Sequence, residues 1–341
     1  RCGRHSKVEG GPYAHEADGP EYETINSFAP LVGNDDMELT LYCNYLCNRY
    51  GIDTISTGSL IAFAMECHQR GILDDSELSL EWGDPDSITG LIHKIAQREG
   101  LGSILADGVK RGAPQIHPEA SKYAFHVKGL ETPRQEPRTN RGLALGHATS
   151  ARGADHLYGL STIDQTKNKD AATRYFPEAD DEILNVFSQK YKPRVLIFTE
   201  AFSAINDSLG ICKFSTLEAF ALGPEDIAEG VSAYFGTQCT MEDLLHIGER
   251  IVNLERMYNV RHGMDRGDDQ LHERFLKEPL TVYVEKDGAL TDKVLKEGLV
   301  VQLDEMLDEY YRQRNWTSMG IPSKEKLTEL GLESLVQDLP G

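Results

Sequence analysis

The chain has 341 residues, 40% of them hydrophobic and 26% charged, an ordinary balance for a soluble globular protein. That length exceeds one comfortable hydrophobic core and predicts two domains. A formal net charge of −20 repels phosphate backbones and anionic lipid, and no apolar run approaches a membrane span, so nucleic-acid binding and membrane insertion are excluded.

Arg1 to Lys7 is polar throughout, unlike a secretory signal, and a cytoplasmic location is expected. The absence of an initiator Met, with a cysteine at the second position, predicts a piece of a longer protein. The cysteines, Cys2, Cys43, Cys47, Cys67, Cys212 and Cys239, are too few for a disulfide framework in a chain this long.

In chain order, residues 1–35 are rich in Gly, Pro and charge and read as loop or short strand. The first clear helix is expected near 37–50. Two hydroxyl residues of the stretch Gly51 to Gly58 are candidate caps for a helix from about Ser59 to Arg70. Its nearly continuous apolar residues, Leu60, Ile61, Phe63, Ala64 and Met65, predict deep burial, and Gly71 suits its stop. Gly83 to Asp86 opens a further helix with Ile88, Leu91, Ile92 and Ile95 at helical spacing. A short helix carrying Ile104, Leu105 and Val109 comes after a break at Gly100-Leu101-Gly102.

Residues 115–140, with Pro114 just before them and Pro118, Pro133 and Pro137 inside, read as irregular, placing a domain boundary there: 1–127 and 128–341. Gly142 to Ser150 is small and apolar, and 160–185 reads as loop with a short helix. Long amphipathic helices are expected at 184–208, 224–235 and 241–260. Leu280 to Val284 carries a strand signal, with helices beyond it around 290–313 and 323–336. Helical patterns dominate, so the fold class is mainly α, in two multihelical domains.

Two short segments echo each other: Asn48-Arg49-Tyr50-Gly51-Ile52-Asp53 and Asp207-Ser208-Leu209-Gly210-Ile211-Cys212. A glycine just past a helix is the usual left-handed cap and accounts for the shared shape. Asp53 and Asp207 lie beside strongly apolar helices. A buried carboxylate needs donors, which a ligand rich in N–H groups would supply. Helix capping or a surface position would satisfy the same two acids, and both readings stand at this point.

The motifs carry a resemblance over nearly the whole chain. NRYGIDTISTG (Asn48 to Gly58) and DSLGICKF (Asp207 to Phe214) resemble the two pterin-binding motifs of the aldehyde:ferredoxin oxidoreductase family. GPEYET, REGLGSILADGV, ATSARGADHL and NVRHGMDRGDDQLHERF match in order. The resemblance implies two helical domains of that family's C-terminal type, with an N-terminal β-rich domain lying upstream. It implies tungsten held by two pterin dithiolenes (tungstopterin), a 4Fe-4S cluster, ferredoxin as electron acceptor and a small aldehyde as substrate. It also implies that the two echoing turns serve one metal centre, and it leaves a homodimer open.

Residue by residue, the resemblance assigns Asn48, Ile52, Asp53, Thr54, Arg152, Asp207, Ile211 and Lys213 to the cofactor. Asn48 stands where the family usually has Asp, so a charge is lost there. Cys212 matches the last cluster ligand and Cys2 one of the first three. Either Glu21 or Glu23 matches the proton-handling carboxylate, with Glu21 preferred, and His156 matches the hydrogen-bond donor to the substrate oxygen. A metal bridging two subunits in some members is not expected, because Tyr42 stands at its Glu position. Cys43, Cys47, Cys67 and Cys239 read as core.

Two alternatives accompany this reading. One is another tungsten-enzyme reaction such as reduction of an aryl thioester. The other is a non-catalytic helical scaffold or binding module.

Overall fold

The computed structural model describes residues 4–160, 162–287 and 289–340. Cys2 lies outside the described residues. The protein is mainly α and divides into two compact units, Arg1–Arg134 and Gln135–Gly341. The division falls downstream of the expected 127/128 boundary.

The first unit opens with an antiparallel pair, β1 (His5–Val8) and β2 (His15–Asp18), with His5 opposite Asp18. Six helices come next: α1 (Tyr22–Phe28), α2 (Met37–Tyr50), α3 (Thr54–Gln69), α4 (Pro85–Gln97), α5 (Leu101–Leu105) and α6 (Val109–Ile116). A short pair, β3 (His126–Val127) and β4 (Leu130–Glu131), lies beyond them. Helix α1 occupies a stretch whose composition reads as loop.

The core centres on α3, whose Ile61, Ala64, Met65 and Cys67 are fully buried against α1, α2 and α4. Helix α3 begins at Thr54, not Ser59, and its cap is the Asp53 carboxylate rather than a hydroxyl, accepting Ser56 N at 2.6 Å. An acidic cap serves the unpaired N–H groups and the positive end of the helix dipole together. The prolines of 115–140 do not leave that stretch irregular throughout: β4 and a 3-10 turn at Ala120–Tyr123 pack on α3.

The second unit holds α7 (Arg141–Thr149), α8 (Lys169–Tyr175), α9 (Lys192–Leu209), α10 (Pro224–Phe235) and α11 (Met241–Arg261). Then come α12 (Glu273–Lys277), the hairpin β5 (Leu280–Lys286) and β6 (Ala289–Leu299), α13 (Leu303–Gln313) and α14 (Lys324–Glu329). The helix expected from about 290 is therefore a strand as far as Leu299, and helix resumes at Leu303. Val, Thr and Leu in Ala289–Leu299 pair with the strand signal at Leu280, and several register shifts bend the ribbon.

Helices α9 and α11 form the spine of this unit. They approach so closely at Gly248 that an added Cβ would lie 2.0 Å from Ala201 O. Around the spine, buried charges are answered locally. Arg314 reaches Glu249 Oε2 at 2.5 Å and also Glu200, while Tyr310 donates to Glu200 Oε2 at 2.7 Å. Arg256 Nη1 donates to Asp269 Oδ1 at 2.9 Å. Lys192 pairs with Asp164 at 2.6 Å.

Gly51 and Gly210 end α2 and α9 with φ of 68° and 69°, and each has open space where a Cβ would stand. Alanine at either glycine therefore strains the backbone alone, and urea melts should read a loss of about 1 kcal/mol. Gly248→Ala forces a backbone clash and should lose more, about 3 kcal/mol. Equal losses at Gly210 and Gly248 would contradict this account.

Candidate functional site

In the first unit the turn between α2 and α3 carries Asn48, Ile52, Asp53 and Thr54. Gly51 N returns to Asn48 O at 3.3 Å and Ile52 N to Cys47 O at 3.1 Å, which closes α2 in a left-handed cap. Asn48 is exposed, and its Nδ2 lies 3.4 Å from Asp18 O. Ile52 is half-buried against the core. Thr54 shares a hydrogen bond with Thr24 Oγ1 at 2.8 Å. Asp53 is exposed. Burial does not force a partner on it, because it spends its carboxylate on capping α3.

The two candidate carboxylates of the PEYE stretch differ sharply. Glu21 stands just before α1 without capping it, its side chain is 53% exposed, and it pairs with Arg4 at 3.3 Å. Glu23 is 13% exposed and accepts the backbone N–H of Arg134 at 2.9 Å on Oε2. The guanidinium of Arg134 stands beside the same oxygen, 3.9 Å away at Nε. Burial pulls the Arg134 pKa down to about 10, opposed by the nearby Glu23, Asp53 and Glu131. Sequence reasoning missed Arg134 because its stretch, flanked by prolines, carries no periodic signal.

In the second unit the structure brings five expected residues together. Arg152, Asp207, Ile211, Cys212 and Lys213 line one cleft of about 890 Å³. The second left-handed cap shapes its floor: Gly210 N returns to Asp207 O at 3.3 Å and Ile211 N to Asn206 O at 2.8 Å. Asp207 is 63% exposed, so it too escapes the burial expected of it. Its Oδ2 pairs with Lys213 Nζ at 2.8 Å, and Lys213 also donates to Leu157 O at 3.0 Å. Arg152 is 69% exposed and pairs with the buried Asp155.

Cys212 is exposed, and directly after Lys213 the chain forms a π-helical turn, Phe214–Glu218. Such turns are uncommon and recur at functional sites. Helix α11 forms the facing wall with exposed Leu254 and Tyr258, and Asn259 pins Ala151 O at 2.7 Å. Tyr258 and Phe214 carry no signal of their own in the sequence. Exposed aromatics look like ordinary surface until the fold gathers them beside charged groups. Among the described residues no cluster of three or more ligating side chains stands ready for a metal ion.

His156 lies half-buried on the loop after α7 and lines a small void together with His147 and Asp155. His147 is fully buried on α7, and among the described residues neither ring nitrogen has a hydrogen-bond partner. Burial pushes its pKa down to about 3, with His156 adding to the shift and Asp155 opposing it. An imidazole this depressed is neutral at any physiological pH. Cys43, Cys47 and Cys67 are buried as expected, and burial pushes the Cys47 and Cys67 thiols up to about 12, so both are protonated at neutral pH. Cys239 is half-buried at a core margin.

The pattern of a single protein family, "Aldehyde ferredoxin oxidoreductase, domains 2 & 3", matches residues 1–332. The chain belongs to that family. It is 37% identical over 337 residues to the tungsten-containing aldehyde ferredoxin oxidoreductase of Pyrococcus furiosus, covering 97% of this chain and 51% of that protein. The enzyme of the same description from Thermococcus kodakarensis is 36% identical with the same coverage. An aliphatic sulfonate oxidoreductase, WOR-like subunit, of Pyrococcus furiosus is 31% identical over 97% of this chain and 49% of its own length. The chain thus spans about half the length of the curated relatives it matches. Among solved structures, the active site complex BamBC of benzoyl coenzyme A reductase shares the fold with a TM-score of 0.74 at 22% identity, over 99% of this chain and 52% of that one.

His147 makes a testable contribution to acid sensitivity. Above pH 6.5, its ordinary value, folded and unfolded chains both hold it neutral and its contribution is fully present. As pH falls from 6.5 toward 3 the unfolded chain takes up the proton first, and stability declines by up to about 1.4 kcal/mol per pH unit. Denaturant melts at pH 7 and pH 5 should show His147→Gln losing about 2 kcal/mol less than the wild type between the two. Identical losses would show that the imidazole is solvated or paired.

Proposed function

We propose that this chain grips a tungstopterin and faces the substrate in an enzyme that oxidises aldehydes to carboxylic acids and delivers the electrons to ferredoxin. The observation that carries the reading is the cleft of the second unit, where five residues assigned from the motifs meet on one surface. The relatives described as tungsten-containing aldehyde ferredoxin oxidoreductases support it.

The donor set suits a pterin. Asp207 pairs with Lys213 through Oδ2, and among the described residues no partner takes Oδ1, which can accept from ring N–H groups. Such charge-assisted bonds contribute roughly 1.5–3 kcal/mol each. Arg152 and Lys213 offer cations to an anionic tail, and Phe214 and Tyr258 offer exposed ring faces. In the first unit Asn48, Ile52, Asp53 and Thr54 would hold pterin at the α2–α3 turn, with Asn48 accepting or donating without charge. Cys212, exposed beside the cleft, would supply one thiolate to a 4Fe-4S cluster, and Cys2 would add a second. When bound, the tungsten group supplies a two-electron acceptor and the cluster a one-electron outlet to ferredoxin.

The net reaction is aldehyde plus water to carboxylic acid, two electrons and two protons. Glu23, rather than the exposed Glu21, takes up a proton from the attacking water. It is the less exposed of the two carboxylates and is held in place by Arg134. His156 donates a hydrogen bond to the substrate oxygen and steadies the charge that develops there. His147 behind it stays neutral and adds no competing charge.

The whole protein carrying this chain, purified without oxygen from cells grown with tungstate, should contain tungsten and iron and reduce a viologen dye with aldehyde. Glu23→Gln should lower kcat about a hundredfold or more with little change in KM, and Glu21→Gln far less. Cys212→Ser should lose most of the iron. Protein purified with no tungsten, no molybdenum and no iron would end the enzyme reading.

A further inference from the structure

We propose that Arg134 is the positioning residue of the first unit, locking the Glu23 carboxylate and the first turns of α3 into one rigid body. The inference rests on the proposed role of Glu23. Three acceptors gather around one end of the guanidinium, where Nη2 is shared among Ile55 O at 3.2 Å, Thr132 O at 2.8 Å and Ser59 Oγ. The Arg134 backbone N–H and Nε both face Glu23 Oε2, at 2.9 Å and 3.9 Å. Tyr22 OH, one residue before Glu23, lies 3.4 Å from Arg134 O. One residue thereby ties α1 to α3 with its side chain 6% exposed.

The same short segment holds α3 from a second point. Glu131 is buried, accepts Ser56 Oγ on Oε2 at 2.8 Å, and accepts Val109 N on Oε1 at 2.8 Å. Residues 131 and 134, of opposite charge, therefore grip the stretch 55–59, directly after the turn that carries Asn48, Ile52, Asp53 and Thr54.

The arrangement suits arginine: Nη2 serves the acceptors at α3 while Nε stands beside Glu23 Oε2, a span of two nitrogens across one planar group that a lysine ammonium, a single point on a flexible stem, does not cover. Its purpose derives from the precision a proton transfer requires. A misplacement of about 1 Å at a reacting group costs on the order of a hundredfold in rate. A carboxylate on a seven-residue helix such as α1 has little local support of its own.

The test uses the whole tungstate-grown protein with Arg134→Lys and Ser59→Ala. Hydrogen–deuterium exchange of the amides across residues 55–59 is read alongside steady-state kinetics. Arg134→Lys should speed exchange there about tenfold and lower kcat about tenfold, with KM within threefold. Ser59→Ala removes one of the three acceptors, folds as a favourable helix residue, and should give a smaller change in the same two readouts. Should Arg134→Lys fail to fold, Ser59→Ala alone decides the matter.

Unchanged exchange across 55–59 overturns the clamp. Faster exchange with kcat unchanged overturns its service to the reaction. If instead Glu23→Gln keeps full activity, the assignment of Glu23 falls, while the exchange result still judges the clamp.

Discussion

A helix that must end and hand its chain straight to a functional residue needs a sharp reversal, and here that reversal is a left-handed glycine. It closes α2 at Gly51 and α9 at Gly210 with nearly the same dihedral angles. In each turn the N–H groups of the glycine and of the next residue, an isoleucine, fold back onto the last carbonyls of the helix. The exits differ. After Ile52 the chain starts a new helix at once, and Asp53 is consumed as its cap. After Ile211 it enters a π-helical turn, leaving Cys212 exposed beside the cleft. One backbone device therefore presents two different chemistries, and the next element of the chain decides between them.

Burial governs which charges are committed to the fold. In the second unit Arg314, Glu200, Arg256, Asp269, Lys192 and Asp164 lie deep in the interior, each facing an opposite charge. Breaking one partner of such a pair strands the other, which is why these groups serve structure. The acids at the two turns, Asp53 and Asp207, stay at the surface, where Asp53 caps α3 and Asp207 pairs with Lys213. Apolar neighbours in sequence suggest burial for both, yet the helix termini lift them out. Sequence does not report such depth.

Local signals were legible in several helices with a clear apolar repeat. The helix Met37–Tyr50 stands where its apolar residues place it, and Pro224–Phe235 and Met241–Arg261 match the expected spans closely. Reading failed where a short element depends on distant partners. Helix α1 has only seven residues and is stabilised by packing on α3. Strand β6 mixes Val, Leu and Thr with Lys, Glu and Asp, a composition that suits helix equally well until β5 pairs with it. At the site, five motif residues of the second unit line one cleft, while Arg134 and His147 escaped notice. Their importance lies in burial and in the presence or lack of partners.

On the proposed reading these same depths divide the chemical labour. A fully buried imidazole with its pKa near 3 cannot carry a proton at neutral pH, so His147 cannot be the base despite standing beside His156. A side chain that takes a proton must reach the reacting atoms and must also stay in one place. Glu21 is too exposed to meet the second demand. Glu23 meets it only through a residue at the far end of its unit, since Arg134 grips the carboxylate with its backbone and α3 with its side chain. Placement of the base is therefore a property of the completed unit. It explains why α1 by itself carries so weak a signal in the sequence.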